Sequence, residues 1–390
     1  MKKILYVEDD QLVSRLYSQK LAEAGFEVVC AEDGLVAIRK LVEFVPDVVI
    51  LDLLMPRMTG ADVLKFMRQR PELKSVPVVV FSNSFLTSLT EQVATAKVEM
   101  TLVKAAVTPK KLVEAIRQVL VAPISPPAGA PATTPAEEAH AATEAKDHET
   151  DFQVRMQKDF FERLPHTLAS IRKLCEGFLD ATDPAAEQRR IEELARKMGF
   201  LSQMTSLAGC HHLALLSSAL EALLFDLHYQ PAKLNDSSRQ TVVSAMAFLT
   251  NQLEVTTGPE KGELKPAAIL VVDDDAVSNR VVVQALNRAR LEADSSADPF
   301  DALKKLEQKP YDLVLLDIDM PGMDGITLCE KMRGLPGYRR TPVIYVTGLT
   351  DFKTRARSLL SGVSDLITKP ILPLELTVKA ITRLMQNRAQ

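Results

Sequence analysis

The chain has 390 residues, 46% of them hydrophobic and 25% charged, with 47 Lys and Arg against 51 Asp and Glu and a formal net charge of −4. At roughly 100–200 residues per domain this is material for several folded units, and the ordinary apolar content excludes a chain disordered throughout. The slight acidic balance and the lack of a Lys/Arg-rich run disfavour a nucleic-acid partner, since no cationic surplus exists to displace phosphate counterions.

Cys30, Cys175, Cys210 and Cys329 are too dispersed for metal-ligand spacing or a disulfide framework, and fit reduced thiols in a cytoplasm. Met1-Lys2-Lys3 carries the charge of a secretory leader, but Glu8-Asp9-Asp10 interrupts the apolar stretch, and no later run is long enough to span a membrane. A cytoplasmic protein without a membrane partner is expected.

In chain order, residues 1–122 alternate short β-branched runs (Ile4–Val7, Glu27–Cys30, Val48–Leu51, Val78–Phe81, Met100–Val103) with helical patterns. Continuous apolar strands separated by helices predict a parallel sheet covered on both faces. Residues 123–150 are rich in Ala, Pro, Thr and Glu; with almost no large apolar side chains they are read as a disordered linker. Residues 151–257 are helical in spacing: Leu213, Leu216, Leu220, Leu223 and Leu224 form a stripe that a bundle would bury. A Gly/Pro-punctuated break makes 258–265 a short linker, and residues 266–388 return to the α/β pattern.

The two α/β segments align at a constant offset of 265: Ile4-Leu5 with Ile269-Leu270, Asp9-Asp10 with Asp274-Asp275, Asp52 with Asp317, Met55-Pro56 with Met320-Pro321, Gly60 with Gly325 and Lys104 with Lys369. Such coincidence at one offset indicates duplication of a whole domain. In an open parallel sheet the functional crevice lies beyond the carboxyl ends of the strands. There the first copy gathers Glu8, Asp9, Asp52, Ser82 and Lys104, and the second gathers Asp273, Asp274, Asp317, Thr347 and Lys369. Three neighbouring carboxylates repel unless a cation joins them. Mg²⁺ suits the site, since it takes hard oxygen ligands and leaves positions for a phosphate oxygen. One carboxylate can then attack a phosphoryl donor, with the lysine and the hydroxyl compensating the transferred charge.

At these residues the sequence resembles the response-regulator receiver domains of two-component signalling. The first copy carries the motifs ILYVEDD, VVILDLLMPRMTG, VVVFSNS and TLVKA, and the second ILVVDDD, LVLLDIDMPGMDG, VIYVTGL and LITKP. The resemblance implies two flavodoxin-like (βα)5 domains in which Asp52 and Asp317 accept phosphate from a histidine kinase or a histidine-phosphotransfer protein. It further implies Mg²⁺ held by Glu8, Asp9, Asp52 and the carbonyl of Leu54, and by Asp273, Asp274, Asp317 and the carbonyl of Asp319. Ser82 and Lys104, and Thr347 and Lys369, become the phosphate-binding and switch residues. The copies depart from the family pattern in places: Lys104 is followed by Ala105 whereas Lys369 is followed by Pro370, and the aromatic switch position holds Thr101 in one and Leu366 in the other. After the hydroxyl residue, Asn83 shades the first site while Gly348 leaves the second open, so the second is predicted to exchange phosphate more readily.

The middle segment resembles a histidine-phosphotransfer bundle around Phe161-Glu162-Arg163-Leu164 and Gly209-Cys210-His211-His212. Family spacing, counted back ten residues from Gly209, puts Gly199 at the histidine position, with Ser202 and Gln203 where lysine and glycine should follow. A glycine carries no nucleophile. The preferred reading is a degenerate docking or dimerising module, with His166, His211 and His212 as other acceptor candidates and a homodimer as one outcome. No DNA-binding, nucleotide-cyclase or ATP-binding kinase motif is present, so the leading expectation is a phosphoacceptor signalling protein, not an enzyme with a separate reaction, acting through a downstream protein target. The alternatives are a relay passing phosphate through a middle-segment histidine and a scaffold whose receivers never cycle.

Overall fold

A computed structural model of the protein describes residues 1–55, 58–82, 97–104, 107, 109–121, 158, 160–178, 183–256, 258, 267–348 and 365–388. The expected linker at 123–150, and Asn83 and Ala105, lie outside the described residues. The chain divides into two compact units, Met1–Ser170 with Gly199–Ala214 and Thr256–Glu260, and Ile171–Met198 with Leu215–Val255 and Lys261–Gln390.

In the first unit the strands are β1 (Lys3–Val7), β2 (Glu27–Ala31), β3 (Val48–Leu51), β4 (Val78–Ser82) and β5 (Met100–Val103), all parallel, in the order β2-β1-β3-β4-β5. The helices α1 (Gln11–Glu23), α2 (Gly34–Glu43), α3 (Gly60–Gln69) and α4 (Pro109–Val121) alternate with them. This is the flavodoxin-like order, with its switch point between β1 and β3. The β1, β3 and β4 side chains are buried on both faces from Ile4, Val48 and Val78 onward, which is why these strands read as unbroken apolar runs rather than alternating ones. Helix α3 begins with a reciprocal cap: Thr59 Oγ1 accepts from the Asp62 N–H, and Asp62 accepts from the Thr59 N–H at 3.1 Å. A Cβ on Gly60 would lie 2.0 Å from the Asp52 carbonyl oxygen; only glycine lets this helix start against the third strand end.

The helical middle region comprises α5 over 160–178, α6 (Pro184–Leu207), α7 (His211–Tyr229) and α8 (Asp236–Val255). The leucine stripe of α7 is buried, but so are Ala214, Ser217, Ser218, Ala219, Ala222 and Leu227. The helix is therefore enclosed on nearly every side rather than along one stripe, as its run of small residues between the leucines permits. Within the second unit Arg172 pairs with Glu254 at 2.5 Å and Arg239 with Glu187.

The second unit also holds the other sheet: β6 (Ile269–Val272), β7 (Ala293–Ser296), β8 (Leu313–Asp317), β9 (Val343–Thr347) and β10 (Asp365–Thr368), parallel, in the order β7-β6-β8-β9-β10. The helices α9 (Ala276–Arg288), α10 (Pro299–Gln308), α11 (Gly325–Arg333) and α12 (Pro373–Arg388) complete it. Gly325 repeats the close approach, its Cβ position 2.0 Å from the Asp317 carbonyl.

Candidate functional site

Parallel register brings the ends of β1, β3, β4 and β5 to one edge, and the polar residues that follow each strand meet there. Glu8, Asp9 and Asp52 have carboxylate oxygens all within 4.8 Å of one another. Lys104 Nζ lies 2.5 Å from Glu8 Oε2 and pairs with Asp52 Oδ2. Asp52 Oδ1 accepts from the Leu54 N–H at 3.2 Å, which sets the Leu54 backbone beside the acid. Tyr6 donates to Glu8 Oε2 at 3.1 Å. Among the described residues, the buried Glu8 Oε1 and Ser82 Oγ find no hydrogen-bond partner.

This pocket is deeply buried around Lys104, whose side chain is 1% exposed. Burial pushes the Glu8 carboxyl up to about 8, with Lys104 pulling the other way and Asp52 and Asp9 adding to the rise. Burial likewise pushes Asp9 up to about 7, with Asp52 next in weight. Burial alone would lower the Lys104 ammonium, but Asp52 and Glu8 override it and hold it charged.

The second site repeats the plan with different supports. Asp273, Asp274 and Asp317 again place their oxygens within 4.8 Å of one another. Lys369 Nζ is 2.6 Å from Asp317 Oδ2 and 3.0 Å from Asp273 Oδ2. Asp317 Oδ1 accepts from the Asp319 N–H at 3.2 Å. Here Asp273 Oδ2 is held by Ser278 Oγ at 2.5 Å and Oδ1 by the Asp275 N–H at 3.0 Å, while Asn279 Nδ2 donates to the Asp273 carbonyl at 3.1 Å. The Lys369 side chain is 26% exposed, and Asp274 and Gly348 are exposed. Burial raises Asp317 against the pull of Lys369; burial would lower Lys369, but its hydrogen bonds to Asp317 and Asp273 raise it.

Every residue expected at these two edges is brought to them where it is described. Tyr6, Ser278 and Asn279 were not anticipated. Tyr6 had a signal, because residues two apart on a strand share a face. Of the middle-region candidates, Gly199, Ser202 and Gln203 are buried in α6, His166 is exposed on α5, and at the start of α7 His211 is exposed and His212 half-buried.

A family model described as the response regulator receiver domain matches residues 4–117 and 269–381, more than half of the chain. The chain belongs to the response-regulator receiver family. Both α/β domains are therefore receivers, phosphoacceptor modules of two-component signalling that work with histidine kinases or phosphotransfer proteins and generally bind Mg²⁺ through acidic residues. The chain is 39% identical over 119 residues to "Response regulator PleD" of Caulobacter vibrioides, covering 30% of this chain and 26% of that one. It is 37% identical over 124 residues to "Cyclic di-GMP phosphodiesterase response regulator RpfG" of Xanthomonas campestris pv. campestris, covering 31% and 32%. The chain thus spans about a third or less of the length of these relatives. Among solved structures it is similar to a CheY-like receiver domain protein of Methanospirillum hungatei, at 30% identity and a TM-score of 0.31, covering 32% of this chain and 98% of that one. Among the described residues no helix is long and apolar enough to cross a membrane.

Proposed function

We propose that this response regulator is phosphorylated on Asp52 and Asp317 by a histidine kinase or histidine-phosphotransfer protein, and that its output is a protein–protein interaction. The observation that carries the reading is the pair of acid triads, each closed by a lysine on the central aspartate and repeated in register. A single lysine leaves each triad with surplus negative charge, and in the first pocket a buried Glu8 oxygen is left over; an all-oxygen donor set of this charge fits Mg²⁺. Glu8, Asp9 and Asp52, with the Leu54 carbonyl, would hold it in one receiver, and Asp273, Asp274 and Asp317, with the Asp319 carbonyl, in the other. When bound, the ion supplies charge compensation for the phosphoryl oxygens.

The chain's own groups do the rest. The Leu54 and Asp319 N–H groups orient one oxygen of each phosphoacceptor. Lys104 and Lys369, already on the other oxygen, are placed to neutralise an incoming phosphoryl group. Ser82 and Thr347, buried at the ends of β4 and β9, are the hydroxyls to hydrogen-bond a phosphoryl oxygen. The middle region is a degenerate phosphotransfer module that docks rather than relays, since Gly199 offers no nucleophile. Labelling the wild type, Asp52→Ala, Asp317→Ala and the double variant from a phosphohistidine donor tests this. Each single variant should keep part of the aspartyl phosphate and the double variant none; label retained in the double variant overturns the assignment.

A further inference from the structure

Helices α4 and α12 are the same element in the two receivers, yet their polar faces differ. In α4, Lys110, Glu114, Arg117 and Gln118 are exposed, the solvated face usual for an outer helix. At the offset of 265 their counterparts in α12 are Glu375, Lys379, Thr382 and Arg383, a polar stripe on one helix face. Glu375 is 2% and Lys379 6% exposed. Buried charges need partners, and these two have them: Glu375 Oε1 accepts from Ser237 Oγ at 2.5 Å and Thr241 Oγ1 at 3.1 Å on α8, while Lys379 Nζ lies 3.5 Å from Glu375, 3.1 Å from Asp365 and 2.6 Å from the Leu366 carbonyl. Beside that contact α8 and α12 do not close. They leave a cavity of about 330 Å³ lined by Gln240, Ser244, Asp365, Lys379, Arg383 and Gln386, at the lower end of the roughly 300–1,000 Å³ of small-molecule sites. Gln240 and Ser244 are exposed, so the cavity opens to solvent along α8. Ala245 is the one apolar residue among those lining it, which leaves no surface for an alkyl chain or a nucleobase.

The wall of this cavity is rich in unspent donors. Lys379 is taken up by its three acceptors, but Arg383 is not. Its Nε and Nη2 hold Asp365 Oδ2 at 3.3 and 3.0 Å, and its Nη1 donates to Gln386 Oε1 at 2.8 Å. A guanidinium carries five N–H groups, so one on each terminal nitrogen is left over. Gln240 Nε2 spends one N–H on Ser244 Oγ at 3.1 Å and keeps the other. Lys379 and Arg383 stand against Asp365 on the wall, a surplus of one positive charge, while Glu375 lies off it on Ser237 and Thr241. Two N–H groups of one guanidinium and a single surplus charge match a carboxylate; a phosphate dianion would be left half compensated. The amides of Gln240 and Gln386 and the Ser244 hydroxyl match hydroxyl groups, and an alkyl body would strip them of water without replacing it.

We infer that this cavity binds a small hydroxylated monocarboxylate, with its carboxylate on the free N–H groups of Arg383 and its hydroxyls on Gln240, Ser244 and Gln386. The site is separate from both acidic pockets. Because the ligand touches α8 and α12 together, it stabilises the chain by binding only where the two helices are in place. The first receiver has no equivalent, since Glu114 and Gln118 stand where Lys379 and Arg383 do.

Titration calorimetry on the full-length chain tests the inference with gluconate as probe, beside hexanoate, which has the same chain length without hydroxyls, sorbitol, which lacks the carboxylate, and glucose 6-phosphate, which carries the dianion instead. Gluconate should bind saturably and raise Tm, and each of the other three should bind about tenfold more weakly or not at all. Arg383→Lys keeps the charge but loses the paired N–H groups and should weaken gluconate about tenfold. Ser244→Phe, at the exposed mouth, should block it. Asp317→Asn should leave it unchanged. Absence of saturable gluconate binding in the millimolar range overturns the site, as does equal binding by the wild type, Arg383→Lys and Ser244→Phe. Hexanoate, sorbitol or glucose 6-phosphate binding as tightly as gluconate overturns the ligand class, a comparison made in the wild type and independent of how either variant folds.

Discussion

The two acidic pockets share a plan and differ in how they are closed. In the first, Glu8 is held by Tyr6, Tyr17 packs edge-on against Phe81 with ring centroids 5.0 Å apart, and Lys104 is 1% exposed. At the offset of 265 the second has Val271, Val282 and Val346 in place of the three aromatics. There the acid is shorter, Ser278 reaches it from the first turn of α9, and Lys369 is 26% exposed. The acids and the lysine are thus placed by the strand ends, which are common to both, while access is dictated by the neighbours one layer behind. Duplication kept these side chains together and left their surroundings free to diverge.

The comparison breaks most sharply on phosphotransfer. Removing both phosphoacceptors should abolish labelling, and Asp52→Asn, which leaves the open second pocket, should label faster than Asp317→Asn, measured as initial rates from one donor; equal rates would reduce the difference in exposure to a structural detail. The next effect is on stability. Lys104→Ala leaves the buried Asp52 carboxylate without its cation and should cost about 3 kcal/mol, whereas Lys369→Ala, in a more exposed pocket, should cost about 1 kcal/mol, both read from denaturant unfolding near neutral pH without Mg²⁺.

The pH dependence has a definite sign. With Glu8 near 8 and Asp9 near 7 in the folded chain, the folded first receiver keeps protons that the unfolded chain releases at ordinary carboxylate values. The contribution of these two acids to metal-free stability should therefore be greatest below about pH 5 and fall as pH rises from about 5 to 8. Mg²⁺ competes with those protons, so its stabilising effect should grow over the same window, followed as the shift in Tm with added Mg²⁺ at pH 6 and pH 8. A flat profile would show that the pocket is hydrated. The smallest effects come from the supports: Tyr6→Phe and Ser278→Ala should each cost about 1 kcal/mol, and each only in its own receiver.

Much of the site was legible because it obeys the simplest rules. Asp52 and Asp317 follow apolar strands whose period and length are plain, and Gly60 and Gly325 mark where a helix must start against a backbone carbonyl. Tyr6 was legible in principle from its place two residues before Glu8. Ser278 and Asn279 were harder, since their only signal was a departure from Val13 and Ser14 in the other copy. The α12 stripe was not legible. Glu375, Lys379 and Thr382 read as a solvated helix face, as their counterparts in α4 are.

The amino-acid sequence by itself determined two parallel α/β domains, a helical region between them and two sets of acids, hydroxyl and lysine in register, because strand period, turn residues and a constant offset are local properties of the chain. Only the tertiary structure decided which pocket is closed and which is open, and that a polar helix face of the second receiver is covered by α8. Those outcomes depend on which surfaces meet, and the free energy of burying a charge is set by partners that lie more than 130 residues apart in the chain, as Ser237 and Glu375 do.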